Sequence, residues 1–485
     1  MKTMRRHFVQ LMGMTSAAAA LSGCQSATDV MAVLLNTEPG GDFSPPASGE
    51  IDLNSHLINR LTYGPRPGEY QRVKSIGAAA FISEQLNPET IDDGQCSRKV
   101  AHIESLYEPV GELYEFNERR LLADLTAYKM LRAVHSRRQL HEVMVDFWTD
   151  HFNIVSAKGD CKWLKAGDDR DVIRRHALGN FRELVKASAL SPAMLIYLDG
   201  HDNKVVHRDD KPNENYAREL MELHTLGVHG GYSQIDVMEV ARCLSGWTYE
   251  HSPFKFRPAH VEFDPDRHDD GEKIVLGMVI PPGGGPADLD RVVELVCSHP
   301  STARHIAQKL CRWFIADSPP DAAVESVSEA FATSIGDIKS TLRALFETEA
   351  FRITRGNLFK RPWRYVVSAL RAINAATDGG SPIVEFLHRM GHAPFQYPTP
   401  DGYPIEPGPW LGTLLWRWNF ALGMSANRIG GTSLDRKKLE KLLPGENQLP
   451  AHLLGRTPTS LERDLLLETE NGVALLLASP AFQRH

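Results

Sequence analysis

The 485-residue sequence contains no run of about 18 apolar residues, so no segment of it reads as a membrane-spanning helix. It also lacks an excess of basic charge. Against 54 Lys and Arg stand 61 Asp and Glu, a formal net charge of −7 that argues against a nucleic-acid partner. Cysteine is scarce: apart from Cys24 there are Cys96, Cys161, Cys243, Cys297 and Cys311, odd in number, widely spaced and without a C-x-x-C pair. Neither a disulfide framework nor a zinc site is indicated, and Cys243 and Cys311, inside apolar helical patterns, read as small core residues. No G-x-S-x-G elbow, P-loop or dinucleotide fingerprint occurs, which removes the common serine hydrolases, NTPases and Rossmann enzymes. No H-E-x-x-H is present and no internal repeat of fixed period stands out.

What is present begins at the N-terminus. Residues 1–23 have a charged start, a short mildly apolar stretch and a small-residue end, as in a signal peptide. Arg5-Arg6 followed by Phe8 fits a twin-arginine signal. Leu21-Ser22-Gly23-Cys24 resembles a bacterial lipobox, with Cys24 as the lipidated residue. The chain is therefore expected to be exported and held by Cys24 in a membrane, with the periplasmic face of the outer membrane preferred over a free periplasmic location. Residues 24–50, rich in Ser, Thr, Gly and Pro, read as a flexible tether, and 51–485 as the folded body, with a sub-boundary placed near 280–300.

Within the body the 3.6-residue period dominates. Residues 137–152 set Leu140, Met144, Phe147, Trp148 and His151 along one side of a helix. The segments 302–315, 361–375 and the closing SLERDLLLETENGVALLLASPAF carry the same period. Residues 254–280 show short alternations and a β-branched run, predicting a small β-hairpin excursion. The expected fold is mainly α: one large multi-helix globular domain with that hairpin. Residues 395–412 hold too many Pro and Gly for a helix and form an ordered loop. Its aromatics, Tyr403 among them, line a cleft or pin the loop to the core, pinning being the commoner role.

The richest stretch is VVHRDDKPNENYARELMELHTLG, residues 205–227. His207-Arg208-Asp209 has the look of a kinase catalytic loop, which needs H-R-D-x-x-x-x-N. Here Asn213 falls one position short, and the Gly-rich strand, the V-A-I-K strand and D-F-G are all missing, so a kinase is excluded. Pro212 and the N-cap Asn213 instead open a helix from about Glu214 to Leu226, stopped by Gly227. Ser233 and Asp236 then start a second helix with a capping box, its apolar side being Val237, Val240, Ala241 and Leu244.

On the first of these helices Asn215, Glu219 and Glu222 share a face, Glu214, Arg218 and Glu222 form an i, i+4 ladder, and His224 sits at the margin of the apolar side. Two readings stand. In one, Glu219 or Glu222 is a general base or metal ligand, Arg218 orients an anionic group, and Asn215 and His224 complete the site. Trp148, Arg175, His176 and Tyr403 are the candidate binding residues around it. His151, His176, Glu219 and His224 would then form a mixed nitrogen and oxygen set suited to a divalent metal, assembled from separate helices. In the other, the same block is a structural ion-pair network, and each His taken singly is a satisfied core residue. The acidic stretch 264–273 fails the EF-hand pattern, since position 12 counted from Asp266 is Gly277, and reads as a solvated turn.

Several blocks together resemble the bacterial family known as domain of unknown function 1800: HLINRLTYGPRPGEY (56–70), DFWTDHFNI (146–154), KPNENYARELMELHTLGVHGGYSQIDV (211–237), HPSTARHIAQKLCRWFIAD (299–317) and PTPDGYP (398–404). The resemblance covers roughly 52–485 and implies an exported, mainly helical protein with an envelope role. Members are often encoded beside sulfatase-like exported proteins, which makes such a protein an expected partner. The function expected is that of an envelope enzyme acting on a polysaccharide or other polymer, with a divalent metal as its expected cofactor if it has one. The alternative is a non-catalytic binding or assembly partner.

Overall fold

The computed structural model describes residues 49–207, 210–250, 259–445 and 447–485. The signal region, Cys24, the tether as far as residue 48, Arg208-Asp209 and part of the expected hairpin lie outside these residues. The fold is mainly α, with only small two-stranded antiparallel sheets. One cluster of buried residues runs from Leu57 to Phe482 and includes Ile280, Leu289, Val292, Val296 and Ala303 on either side of the expected sub-boundary.

Two helices form its centre, and both are enclosed on nearly every side. In Gln139–His151 only His141 is not buried. In Pro362–Ala372 every residue is buried. A helix start placed in a core must still satisfy its free N–H groups. The Leu140 amide donates to Gln85 Oε1 (3.1 Å), while Gln139 donates through Nε2 to the Ala133 and Ser136 carbonyls and accepts from the Tyr63 amide.

The apolar stripe read at Leu140, Met144 and Phe147 is only half of the Gln139–His151 helix. The opposite side carries Glu142, Asp146 and Asp150 at four-residue spacing, all buried. Glu142 pairs with Arg132 (2.8 Å) and Arg174 (2.8 Å), and Arg174 also holds Asp169 (2.6 Å). Asp146 pairs with Lys129 (2.7 Å) and Arg361 (3.1 Å), and Arg361 continues to Asp150. Trp313 lies under the Arg361 guanidinium at 4.1 Å, Trp363 under Lys129 at 4.9 Å. Burial alone would raise these carboxyls. The adjoining cations hold Glu142 well below, and Asp146 below, the ordinary range, while Asp150 is pushed up by burial, with repulsion from Asp146 adding and Arg361 opposing.

Elsewhere the periodicity reading needs three changes. The helix expected over 214–226 is α-helical at Asn215–Glu219 and then widens into a π-turn at Leu220–His224. The closing segment breaks between Leu467 and Gly472 into Ser460–Leu467 and Gly472–Ala478, and Asn471, at the start of the second, accepts hydrogen bonds through its side chain from Ser425 and Arg436. The β excursion is two hairpins: Trp247–Glu250 with His260–Phe263, and Lys273–Val275 with Met278–Ile280. The acidic stretch between them is tied down, not solvated throughout: Asp269 pairs with Arg242 (2.6 Å), and Lys273 with the fully buried Asp288 (2.7 Å). The five described cysteines are free.

Removing one partner of a buried ion pair strands the other charge. Asp146→Ala is expected to cost about 3–5 kcal/mol in chemical denaturation at neutral pH, and a loss under about 1 kcal/mol would show that the stripe is not integral. Because Glu142 and Asp146 titrate lower in the folded than in the unfolded chain, their contribution is present above about pH 4–5 and is lost as pH falls through the folded values. The denaturation midpoint of the wild type should fall across that window, and by less in Asp146→Ala.

Candidate functional site

The NENYAREL block is first a set of clamps. The helix begins one residue later than expected, at Asn215 with Glu214 at the N-cap, and Asn213 Oδ1 accepts from the Asn215 amide (3.0 Å) while its own amide donates to Asn203 Oδ1 (3.0 Å). Asn215 Nδ2 donates to the Leu198 carbonyl and to Asp199 Oδ2, both at 3.1 Å. Arg218 is held by Glu214 (2.7 Å) and Gln234 (3.0 Å) on the outer face. Asn215 and Arg218 thus fix the helix to its neighbours, and the guanidinium proposed to orient an anion is already engaged.

The π-turn changes which residues face which way. Thr225 Oγ1 donates to the Leu220 carbonyl (2.6 Å) and the Gly227 amide to the Met221 carbonyl (3.1 Å), closing a turn wider than an α-turn. Gly227, at φ +83°, continues where a side chain would collide with the His305 ring. His224 is therefore not at a margin but fully enclosed, its ring 4.9 Å from Phe152 and its ring nitrogens without a hydrogen-bond partner. Burial, with Lys309 and His305 nearby, lowers it to about 3.

Glu219 and Glu222, also on this helix, are half-buried. The Glu219 carboxyl is raised by burial and by the charges of Glu222 and Asp401, with Arg218 opposing. Asp401 comes from the 395–412 loop, which is fastened over the end of the Gln139–His151 helix. Asn153 Nδ2 donates to the Tyr397 and Thr399 carbonyls (3.0 and 2.8 Å), and Tyr197 Oη to the Pro398 carbonyl (3.0 Å). Gly402, at φ +76°, lies so close to the Asp150 backbone that any Cβ would overlap its carbonyl oxygen. Tyr403 is buried, donates to the Ala393 carbonyl (2.6 Å) and packs on His392, so it pins the loop and does not line a cleft.

The third contributor is Lys309, on the Pro300–Phe314 helix. Its amine meets His151 Nδ1 at 2.8 Å, and His151 Nε2 donates to the His224 carbonyl at 3.0 Å. With Nε2 committed as a donor, Nδ1 is the acceptor and the ring is neutral; burial, then Lys309, keep it far below the ordinary histidine value. Lys309 itself is lowered to about 8 by burial, against the pull of Asp150 and Asp401. His305 Nε2 donates to the Leu223 carbonyl (3.2 Å). The two histidines thus bind carbonyls that the π-turn exposes.

The structure brings Glu219, Glu222, His151 and His224 to one region, and leaves others out. Trp148 is fully buried and donates to the Ala177 carbonyl (3.0 Å), so it is a core residue whose one polar atom is already bonded. Arg175 is exposed, and the charges acting on His176 are those of Arg175 and Glu183. Among the described residues no three His, Cys, Asp or Glu side chains converge to hold a metal ion, so His151, His176, Glu219 and His224 are not assembled as ligands. Lys309, His305 and Asp401 were missed in the sequence. The available signals were Lys309 and His305 four residues apart on the polar face of an apolar-striped helix, and an acidic residue inside a Pro-rich loop.

The chain matches the model of the family described as "Protein of unknown function (DUF1800)" over residues 56–484 and belongs to that family. No curated protein and no solved structure matches it.

Proposed function

We propose that this member of the family is an exported, lipid-anchored protein of the cell envelope, and that Glu219 and Lys309 carry out acid–base chemistry on an envelope or extracellular polymer. The observation that carries the reading is a carboxyl and an amine that both face Asp401 and are each moved toward neutrality by burial: the Glu219 carboxyl is pushed up, with Glu222 and Asp401 adding, and the Lys309 amine is lowered to about 8 against the pull of Asp150 and Asp401. A carboxylate and an amine moved toward neutrality are suited to exchange protons near one working pH. Glu219, ionised above its raised value, accepts a proton from water or a polymer hydroxyl. Lys309, cationic below about 8, delivers one to the departing oxygen. His151, accepting from the Lys309 amine, is a positioning residue.

Fragments released from isolated envelope polysaccharide, measured by mass spectrometry across pH 5–10, test this. The expected profile is bell-shaped, with its alkaline limb near 8. Glu219→Gln should lower turnover by about 10²–10⁴ at an unchanged melting temperature, and Lys309→Met should remove the alkaline limb. A folded Glu219→Gln protein with wild-type turnover would end the proposal.

The anchor rests on the signal-like start and the lipobox ending in Cys24. Cys24→Ser should move the protein from the membrane to the soluble fraction and abolish fatty-acid labelling. An unlabelled wild type would refute the anchor.

A second reading, docking of another exported protein such as the sulfatase-like one, is favoured by one observation. Leu411, Leu415, Trp418 and Leu422 form an exposed apolar stripe at and along the Leu414–Ser425 helix, each at least 44% accessible. It predicts stoichiometric co-purification that survives Glu219→Gln and is lost in Trp418→Glu; retention in Trp418→Glu would rule out this face.

A further inference from the structure

A polar cleft of about 320 Å³ shares no residue with the Glu219 and Lys309 region. Its walls come from the turn before the Glu69–Ile76 helix, the start of the Gly94–Val100 helix, the end of the Glu118–His135 helix and Arg371. His135, 6% exposed, lines it, and neither ring nitrogen has a hydrogen-bond partner. A buried imidazole left with both nitrogens unbonded is costly and calls for an explanation.

The surrounding charge says what kind of group could answer it. Of the carboxylates around the cleft, the exposed Asp92 accepts only from the Gly94 amide (3.0 Å) among the described residues, and the other three are engaged by cations. Glu69 accepts from Arg371 (3.0 Å) and from the Arg66 amide (2.9 Å), and Glu84 pairs with Arg72. Asp93 accepts from Arg132 (3.2 Å), Ser136 (2.9 Å) and the Arg137 amide (2.8 Å). On the cationic side, the Arg66 guanidinium makes a single bond of 3.3 Å to Asn374 and no ion pair among the described residues. Arg137 is exposed at the cleft wall. The charges that act on His135 are all positive, from Lys99, Arg66 and Arg371. A cation beside His135 would be repelled by these charges, and the carboxylates at that end of the cleft, Glu69 and Asp93, already hold arginines. The Glu69 carboxylate acts on Arg66 but is bonded to Arg371, so a neutral sugar would leave the positive charge around His135 only partly offset.

We propose that this cleft is an oxyanion site, in which Arg66 and His135 bind a tetrahedral phosphate or sulfate group. Arg66 supplies a fork of N–H donors matched to two oxygens. His135 gives one N–H from a neutral ring, and the Arg371 and Lys99 charges add attraction without needing contact. The site goes beyond the acid–base reading, which does not use it.

Calorimetric titration of the full chain with inorganic phosphate and with inorganic sulfate at low ionic strength tests the assignment. Saturable millimolar or tighter binding of at least one is expected, with acetate weaker. Arg66→Gln should weaken it by about tenfold or more, while Lys437→Gln, which removes the same charge from an exposed position, should leave it unchanged. Because Arg66→Gln can also disturb the fold, the His135 ring nitrogens are followed by NMR in the wild type, where the saturating anion should shift them. Absence of saturable binding, equal binding by a folded Arg66→Gln protein, or binding that leaves the His135 signals unmoved would each overturn the proposal.

Discussion

The structure depends on one line of charge inside the core. Glu142, Asp146 and Asp150 lie on a helix with almost no solvent-facing side, so each must find cations on other elements. The cations come from three places in the chain: Lys129 and Arg132 from the preceding helix, Arg174 from the turn after Cys161–Asp168, and Arg361 from the start of Pro362–Ala372. Against a well-packed apolar alternative such pairs add little net stability. Their effect here is positional: apolar side chains tolerate sliding, whereas a bonded carboxylate allows its partner helix one register.

That same line leads to the candidate site. Its last carboxylate, Asp150, is followed by His151, whose two ring nitrogens meet Lys309 and the His224 carbonyl. Asp150 also supplies the backbone on which Gly402 rests, and Gly402 follows Asp401. Glu219, Lys309 and Asp401, from three distant parts of the sequence, are therefore located by one helix end. The loop carrying Asp401 is long and irregular, yet it is fixed by side-chain bonds from Asn153 and Tyr197.

The mainly α fold and the Ser233–Asp236 capping box were legible because each is a local signal: a period, and a spacing of three. The acidic stripe has an equally regular spacing, but a four-residue acidic repeat on a helix ordinarily faces water, and nothing local says that the helix is enclosed. His224 was misplaced because a 3.6-residue wheel assumes a uniform helix, and the chain widens just before it. The Glu219 region was located from residue types, while its Lys309 and Asp401 members depend on contacts more than eighty residues apart in sequence. Trp148 and Tyr403 show the converse: both have a polar atom suited to a ligand, and both spend it on a backbone carbonyl in the core.

A π-turn is an α-turn holding one residue more than it needs. Between Leu220 and His224 that surplus lets the helix both reach Gly227 in phase and offer the Leu223 and His224 carbonyls to His305 and His151. Chain length is therefore counted exceptionally closely here. Most surface loops absorb a one-residue deletion, but in this segment it would restore the regular helix, withdraw both carbonyls and rotate everything downstream by about 100°. The distance in residues between Glu219 and Gly227 is itself a structural parameter, as fixed as any side chain in the block.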